Sequence, residues 1–271
     1  MHEEEDIPIQ PSTPDIPQNN ETMEVHKHPH HVTHKKKWGE YLLEFFMIFL
    51  AVFLGFVAEN IRESIVDKKM EKHYMVSMIE DLQKDTAMLN RIIKRSEKIT
   101  NLLDTAERIL FSDKMNDSLL KTLYHVNLSM LPSIQTVFID RTTSQLRNTG
   151  GLHLIKNVTV VASLFDYWTV VEIMKNTSQN YNELRVHARE KSYCIFNAKY
   201  YTSTAGNNDL TEATNPKLMT TDPFILNEFA NRLGHLKNGN QKTYIPNLRQ
   251  VFTSAVELID LIRKEYQLPN E

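Results

Sequence analysis

This chain is poor in glycine. Its 271 residues include 7, where ordinary usage of about 7 % would give about 19. That disfavours glycine-rich phosphate loops and turn-dense β architectures, and it suits long helices. There is one cysteine, Cys194. An intramolecular disulfide framework and a cysteine-based zinc site are therefore excluded. Cys194 lies in SYCIFNAKYY, which reads as a helix face with a buried, inert thiol rather than a reactive one. Neither sign of charge dominates. A formal net charge of -3 argues against a nucleic-acid partner, which calls for a clearly basic face. Zincin, P-loop, nucleophile-elbow and kinase signatures are missing as well. No catalytic, cofactor or metal residue is assigned, and a non-enzymatic role is expected.

What the chain does have is one apolar run, Tyr41 to Ala58, reading YLLEFFMIFLAVFLGFVA. Eighteen residues at about 1.5 Å each span about 27 Å, close to a bilayer core. Only Glu44 interrupts them, one turn inside the end, where a carboxylate snorkels to the headgroups or stays protonated. Lys35, Lys36 and Lys37 stand before the run. With Trp38 and Tyr41 they make a set of interface anchors. A cleaved signal peptide fits poorly, because Phe56 sits where cleavage before Glu59 needs a small residue. A buried core helix is the rival reading, since the uncharged part, Phe45 to Ala58, is short. Basic residues balance across the span: Lys27, Lys35, Lys36 and Lys37 before it, Arg62, Lys68, Lys69 and Lys72 after it. The upstream group is tighter, which puts the N-terminus inside and the C-terminal part outside. Ala51 and Gly55 form a small-xxx-small pair that could let two spans pack as a homodimer.

Residues 1–37 hold half of the prolines, an acidic start and six of the eleven histidines. They read as a disordered, solvated tail. The stretch HKHPHHVTH could also chelate a transition metal or charge below neutral pH against anionic lipid. After the span, Met78, Leu82, Leu89, Ile92, Ile99, Leu103, Ala106 and Leu110 keep three-and-four spacing, with Asp85 and Ser96 standing in. This predicts a long coiled-coil-like stalk helix over 62–111, its remaining charges mainly on the other face. Asp113 is expected to cap a short helix to Met130, ended by Pro132. Ile134 to Ile139 reads as extended or loop, a strand pair there staying open. Asp140 could cap Arg141 to Asn148, with Gly150 as the left-handed stop. A helix from Asn157 to about Tyr201 follows, first lined by Val161, Leu164, Phe165, Trp168, Val171 and Met174. Tyr181, Leu184, Ala188 and Ile195 continue that face. Residues 204–222 read as a polar loop. Asp222-Pro223 starts a helix ending near Gly234 to Gly239. The last helix, 245–267, has a stripe of Leu248, Phe252, Ala255, Ile259, Ile262 and Tyr266. The expected fold is all-α: a disordered tail (1–37), a transmembrane helix (38–61), a stalk helix (62–111) and a helical domain (112–271).

Three segments, KKKWGEYLLEFFMIFLAVFLGFVAENIRE, EKHYMVSMIEDLQKDT and SQLRNTGGLHLIKN, carry a resemblance. They resemble a family of uncharacterised single-pass membrane proteins of Bacteroidetes-type bacteria. Within them lie Tyr74 through Asp81-Leu82 and the stretch Leu146 to Lys156. The resemblance implies a bacterial inner-membrane location and a periplasmic helical domain, and no chemistry. The long His- and Pro-rich tail departs from it.

Few residues invite a site. Gly150, Gly151 and His153 form a loop that could offer N–H groups to an anion, although a helix stop accounts for both glycines. His187 and Glu190 share a helix face but lack partner carboxylates for a di-metal centre. The leading expectation is a membrane-anchored, periplasmic helical module binding an envelope protein or small ligand. One alternative is a transmembrane sensor acting through its tail. Another is an enzyme assembled from scattered residues such as His153, Asp166 and His187.

Overall fold

The computed structural model describes residues 37–112, 114–130, 132, 134, 136–204, 207–210 and 215–269. Residues 1–36 of the tail, with Lys35, Lys36 and its histidines, lie outside the described residues, as does Asp113. The chain divides into two units, residues 1–57 and 58–271.

Helix α1 runs Trp38–Leu110. In the first unit its apolar side chains are exposed on every face. Phe45, Phe49 and Phe53 stack at i, i+4 intervals with centroids 6.3 and 6.1 Å apart. At 100° per residue, Ala51 and Gly55 fall on the side away from that stripe.

The second unit is a three-helix bundle with short decorations. Its helices are the later part of α1, α4 (Val158–Ser192) and a run made of α5 (Pro223–Gly239), a π-helical turn (Asn240–Tyr244) and α6 (Ile245–Tyr266). α1 and α4 run parallel, as Glu71 meets Lys156 and Asp85 meets Tyr167. The α5–α6 run is antiparallel to both. Lys237 pairs with Glu107 and Tyr266 with Glu71 on α1. Lys191 pairs with Glu228 and Asn157 with Glu265 from α4. All ten positions of the three-and-four stripe on α1 are buried, Asp85 and Ser96 included. Pro246 explains the π-turn. It lacks an N–H, and its ring would strike the carbonyl four residues back in a regular helix. The wider turn is closed by Ile245 N–H donating to the Asn240 carbonyl.

Between these helices lie α2 (Asp117–Met130), α3 (Arg141–Asn148), two 3₁₀ turns (Gly151–Leu154, Ala198–Tyr200) and a hairpin, β1 (Tyr201–Thr204) with β2 (Asn207–Leu210). The fold is all-α apart from this hairpin, which pairs antiparallel with Tyr201 opposite Leu210. Among the described residues strand pairing therefore falls at 201–204 with 207–210 and not at 134 or 136–139, and it takes in part of the expected 204–222 loop.

Four other expectations are corrected. α4 stops at Ser192 rather than near Tyr201, because Phe196 turns inward to meet the rings of Tyr124 and Phe229 at 4.9 and 5.8 Å. Cys194 falls in the turn so formed and is exposed, since Ile195 and Phe196 take the inward positions. Phe165 is 49 % exposed; Tyr167, two residues on, faces the core. α2 is capped by Asn116, whose Oδ1 accepts from Leu119 N–H. The caps at Asn157 and Asp222 are as expected, accepting from Val160 and Phe224 N–H.

Candidate functional site

Three acids of α1 hold the connection between α2 and α4. Glu71 accepts from Lys156 N–H at 2.8 Å and Tyr266 OH at 2.7 Å. Asp81 accepts from Thr142 N–H at 3.1 Å, Thr142 Oγ1 at 2.6 Å and Arg141 Nη2 at 2.9 Å. Asp85 accepts from Ile139 N–H and Tyr167 OH, both at 3.0 Å. Burial is the main force raising the Asp85 pKa, and those two donors oppose it. Asp81 is 3 % exposed, so it leaves the solvated face on which sequence spacing put it. These carboxylates are occupied by backbone and hydroxyl donors, which is structural work. The connection they fix carries the second and third resembling segments against each other.

Within it, Gly150 is left-handed at φ 71°, which an L side chain rarely tolerates. A Cβ on Gly151 would press Leu146 Cδ2 at 3.3 Å and Tyr74 Cε2 at 3.4 Å. The His153 ring Nδ1 pairs with the Gly150 carbonyl and stays exposed. The two glycines thus end α3 and admit Tyr74. Of the anchors, Lys37, Trp38 and Tyr41 are exposed, as are Ala51 and Gly55. The space beside Gly55 is open. His153, Asp166 and His187 do not converge. All three are exposed, and the last two lie about 30 Å apart along α4 at 1.5 Å per residue. His187 meets Glu190 only at 3.9 Å, in solvent. Among the described residues, no three His, Cys, Asp or Glu side chains cluster as metal ligands.

Two larger cavities remain, both in residues 58–271. One, about 600 Å³, lies between the 136–148 segment and α4. Several of its polar groups are engaged. Arg147 stacks 4.2 Å over the Trp168 ring, Trp168 Nε1 donates to Thr143 Oγ1, and Lys175 pairs with Glu172. The other, about 640 Å³, is walled by α2, the end of α4 and the 192–201 turn, with Met219 at its edge. Phe196 and Tyr201 supply apolar wall. They belong to a ring cluster around Tyr124, whose OH accepts from Asn197 N–H and donates to the Lys217 carbonyl, both at 2.9 Å. Tyr201 has its pKa pushed up to about 12, chiefly by burial, so its OH stays protonated and accepts from Asn127 Nδ2. Asn127 Oδ1 is buried without a partner. Arg189 adds a cation to the wall. An apolar chamber with one unused acceptor and one cation suits an amphiphilic ligand: an apolar body, a donor facing Asn127 and an anionic group facing Arg189. Sequence reasoning missed this site. Its walls come from three distant segments, and no local pattern marks them.

Comparison with protein-family models, with curated proteins and with solved structures found no match. Among the described residues one helix, α1, is long and apolar enough to cross a membrane.

Proposed function

We propose that this protein is a single-pass, membrane-anchored helical module without enzymatic activity. Its N-terminus lies in the cytoplasm and its helical unit in the periplasm, where it takes up a small amphiphilic ligand or a segment of an envelope partner. The observation that carries the anchor is exposure. None of the apolar window at the start of α1 is buried, whereas the stripe further along the same helix is. An apolar run of eighteen residues, interrupted only by Glu44 and not buried by the rest of the chain, is stable in lipid and costly in water. The resemblance to single-pass proteins of Bacteroidetes-type bacteria supports the inner membrane as its place. The chamber at Asn127 and Arg189 supports binding, because its lining includes a buried acceptor without a partner, Asn127 Oδ1.

Reporters fused at residue 20 and after Glu271 in a bacterial membrane test the orientation. A periplasmic C-terminal reporter with a cytoplasmic N-terminal one is expected; the reverse removes the periplasmic module. Native mass spectrometry of the full chain, released from detergent, tests the chamber. Wild type is expected to retain an amphiphilic acid that Asn127→Leu with Arg189→Leu loses. Equal retention by both would show that the chamber is not the site.

A further inference from the structure

Arg185, in the middle of α4, is 2 % exposed. Its Nε, Nη1 and Nη2 have no hydrogen-bond partner. A guanidinium presents five N–H donors and does not lose its proton in proteins. Tyr181 and Tyr244 favour its charge, while Arg95 and Arg189, both of its own sign, oppose it, and no carboxylate among the described residues acts on it. Its ring contact, Tyr181 with the centroid 5.7 Å from Arg185 Cζ, is far too weak to offset burial of an unpaired ion. Other polar atoms at this level of the bundle are also unspent: Ser96 Oγ and Asn240 Oδ1. Asn240 sits in the π-turn and is held by its amide, which donates to the Ser96 carbonyl at 2.7 Å and Thr100 Oγ1 at 2.8 Å. π-turns recur at functional sites.

Beside this layer is a cavity of about 150 Å³ between α4 and the π-turn. Two of its walls are Tyr181 and Tyr244, whose rings stack at 4.4 Å. Thr177, Asn180 and Thr243 add hydroxyl and amide groups. Water could satisfy the N–H donors of Arg185 but would leave its charge, which a surrounding of arginines makes worse. A counter-ion answers both. We propose that Arg185 is the binding group of an internal site for a small monovalent anion of the halide class, entered through the cavity that shares Tyr181 and Tyr244 with it. One charge is the right number, since a divalent oxyanion would bury an uncompensated second charge. The size is right as well, because a water takes about 30 Å³. The cavity thus admits an ion with a few waters as far as Tyr181 and Tyr244, the side chains between it and Arg185, and excludes a nucleotide.

The test uses the full chain in detergent at constant ionic strength, exchanging gluconate, too bulky for the cavity, for bromide. The melting temperature is expected to rise by roughly 5 °C between bromide at its dissociation constant and a hundredfold above it. Arg185→Met should fold, since an apolar side chain of similar length removes a buried unpaired charge, and should show no bromide response. An unchanged response in that variant, or none in wild type, overturns the proposal. Should Arg185→Met fail to fold, crystals of wild type grown in bromide decide it. An anomalous peak within hydrogen-bond reach of the guanidinium supports the site, and a map without one rejects it.

Discussion

Asp81 shows how much one carboxylate can hold. It satisfies a buried backbone N–H, a hydroxyl and a guanidinium at once, so Asp81→Ala strands donors instead of merely deleting a contact. A loss of about 3 kcal/mol is expected in denaturant unfolding, with Asp81→Asn losing less. Asp85 gives a pH signature of definite sign. Its folded-state pKa is raised above the ordinary 3.8, so the folded chain binds that proton more tightly than the unfolded one. Its contribution to stability therefore falls as pH climbs from about 4 through the raised value, and is flat above it. Unfolding curves for wild type and Asp85→Asn should diverge over that window and run parallel near pH 7. Parallel curves throughout would show that the carboxylate titrates normally. Asp85 and Ser96 were legible as inward positions because helical period is indifferent to residue type. Arg185 was not, although it lies four residues after Tyr181 on the same face. A charged side chain reads as solvent-facing until the packing of three helices is known.

At the scale of elements, what could be read depended on how local the cause was. The caps Asn157 and Asp222-Pro223 and the Gly150 stop act within a few residues, so their helices begin or end as expected. The end of α4 is set by Phe196 meeting Tyr124 and Phe229, residues far away in sequence, so local periodicity runs on past it. The hairpin at 201–210 is built from Tyr, Thr, Asn and Asp and lacks the apolar alternation that marks strands. The ligand chamber fails to show in sequence for the same reason as the end of α4. The π-turn makes a sharp prediction. Deleting Lys242 would turn its five-residue closure into the ordinary four-residue one, Ile245 N–H still meeting the Asn240 carbonyl, so α6 keeps its buried face. The Pro246 ring would then press on the carbonyl four residues back, at a cost of about 3 kcal/mol. The deletion should lower stability by about that much with unfolding still cooperative, whereas Lys242→Ala, at an exposed position, should shift it by less than about 0.5 kcal/mol. Circular dichroism melts distinguish the two.

At the scale of the whole molecule, the helical unit is closed by its own end. Tyr266 OH reaches Glu71 Oε1 across 195 positions of sequence, and Ile262, Ile259 and Ala255 complete the buried core. Tyr266→Phe is expected to cost about 2 kcal/mol in denaturant unfolding, the net worth of one hydrogen bond to a carboxylate. A larger cost would mean that the ring also moves. This closure has a consequence in time. Synthesis proceeds at about 5–20 residues per second, so the chain from Leu110 to Tyr266 takes roughly 8–30 s to make. For that interval the stripe of α1 has been synthesised, while the helix that covers it has not. Until α6 emerges, a nascent chain must keep that stripe from other chains.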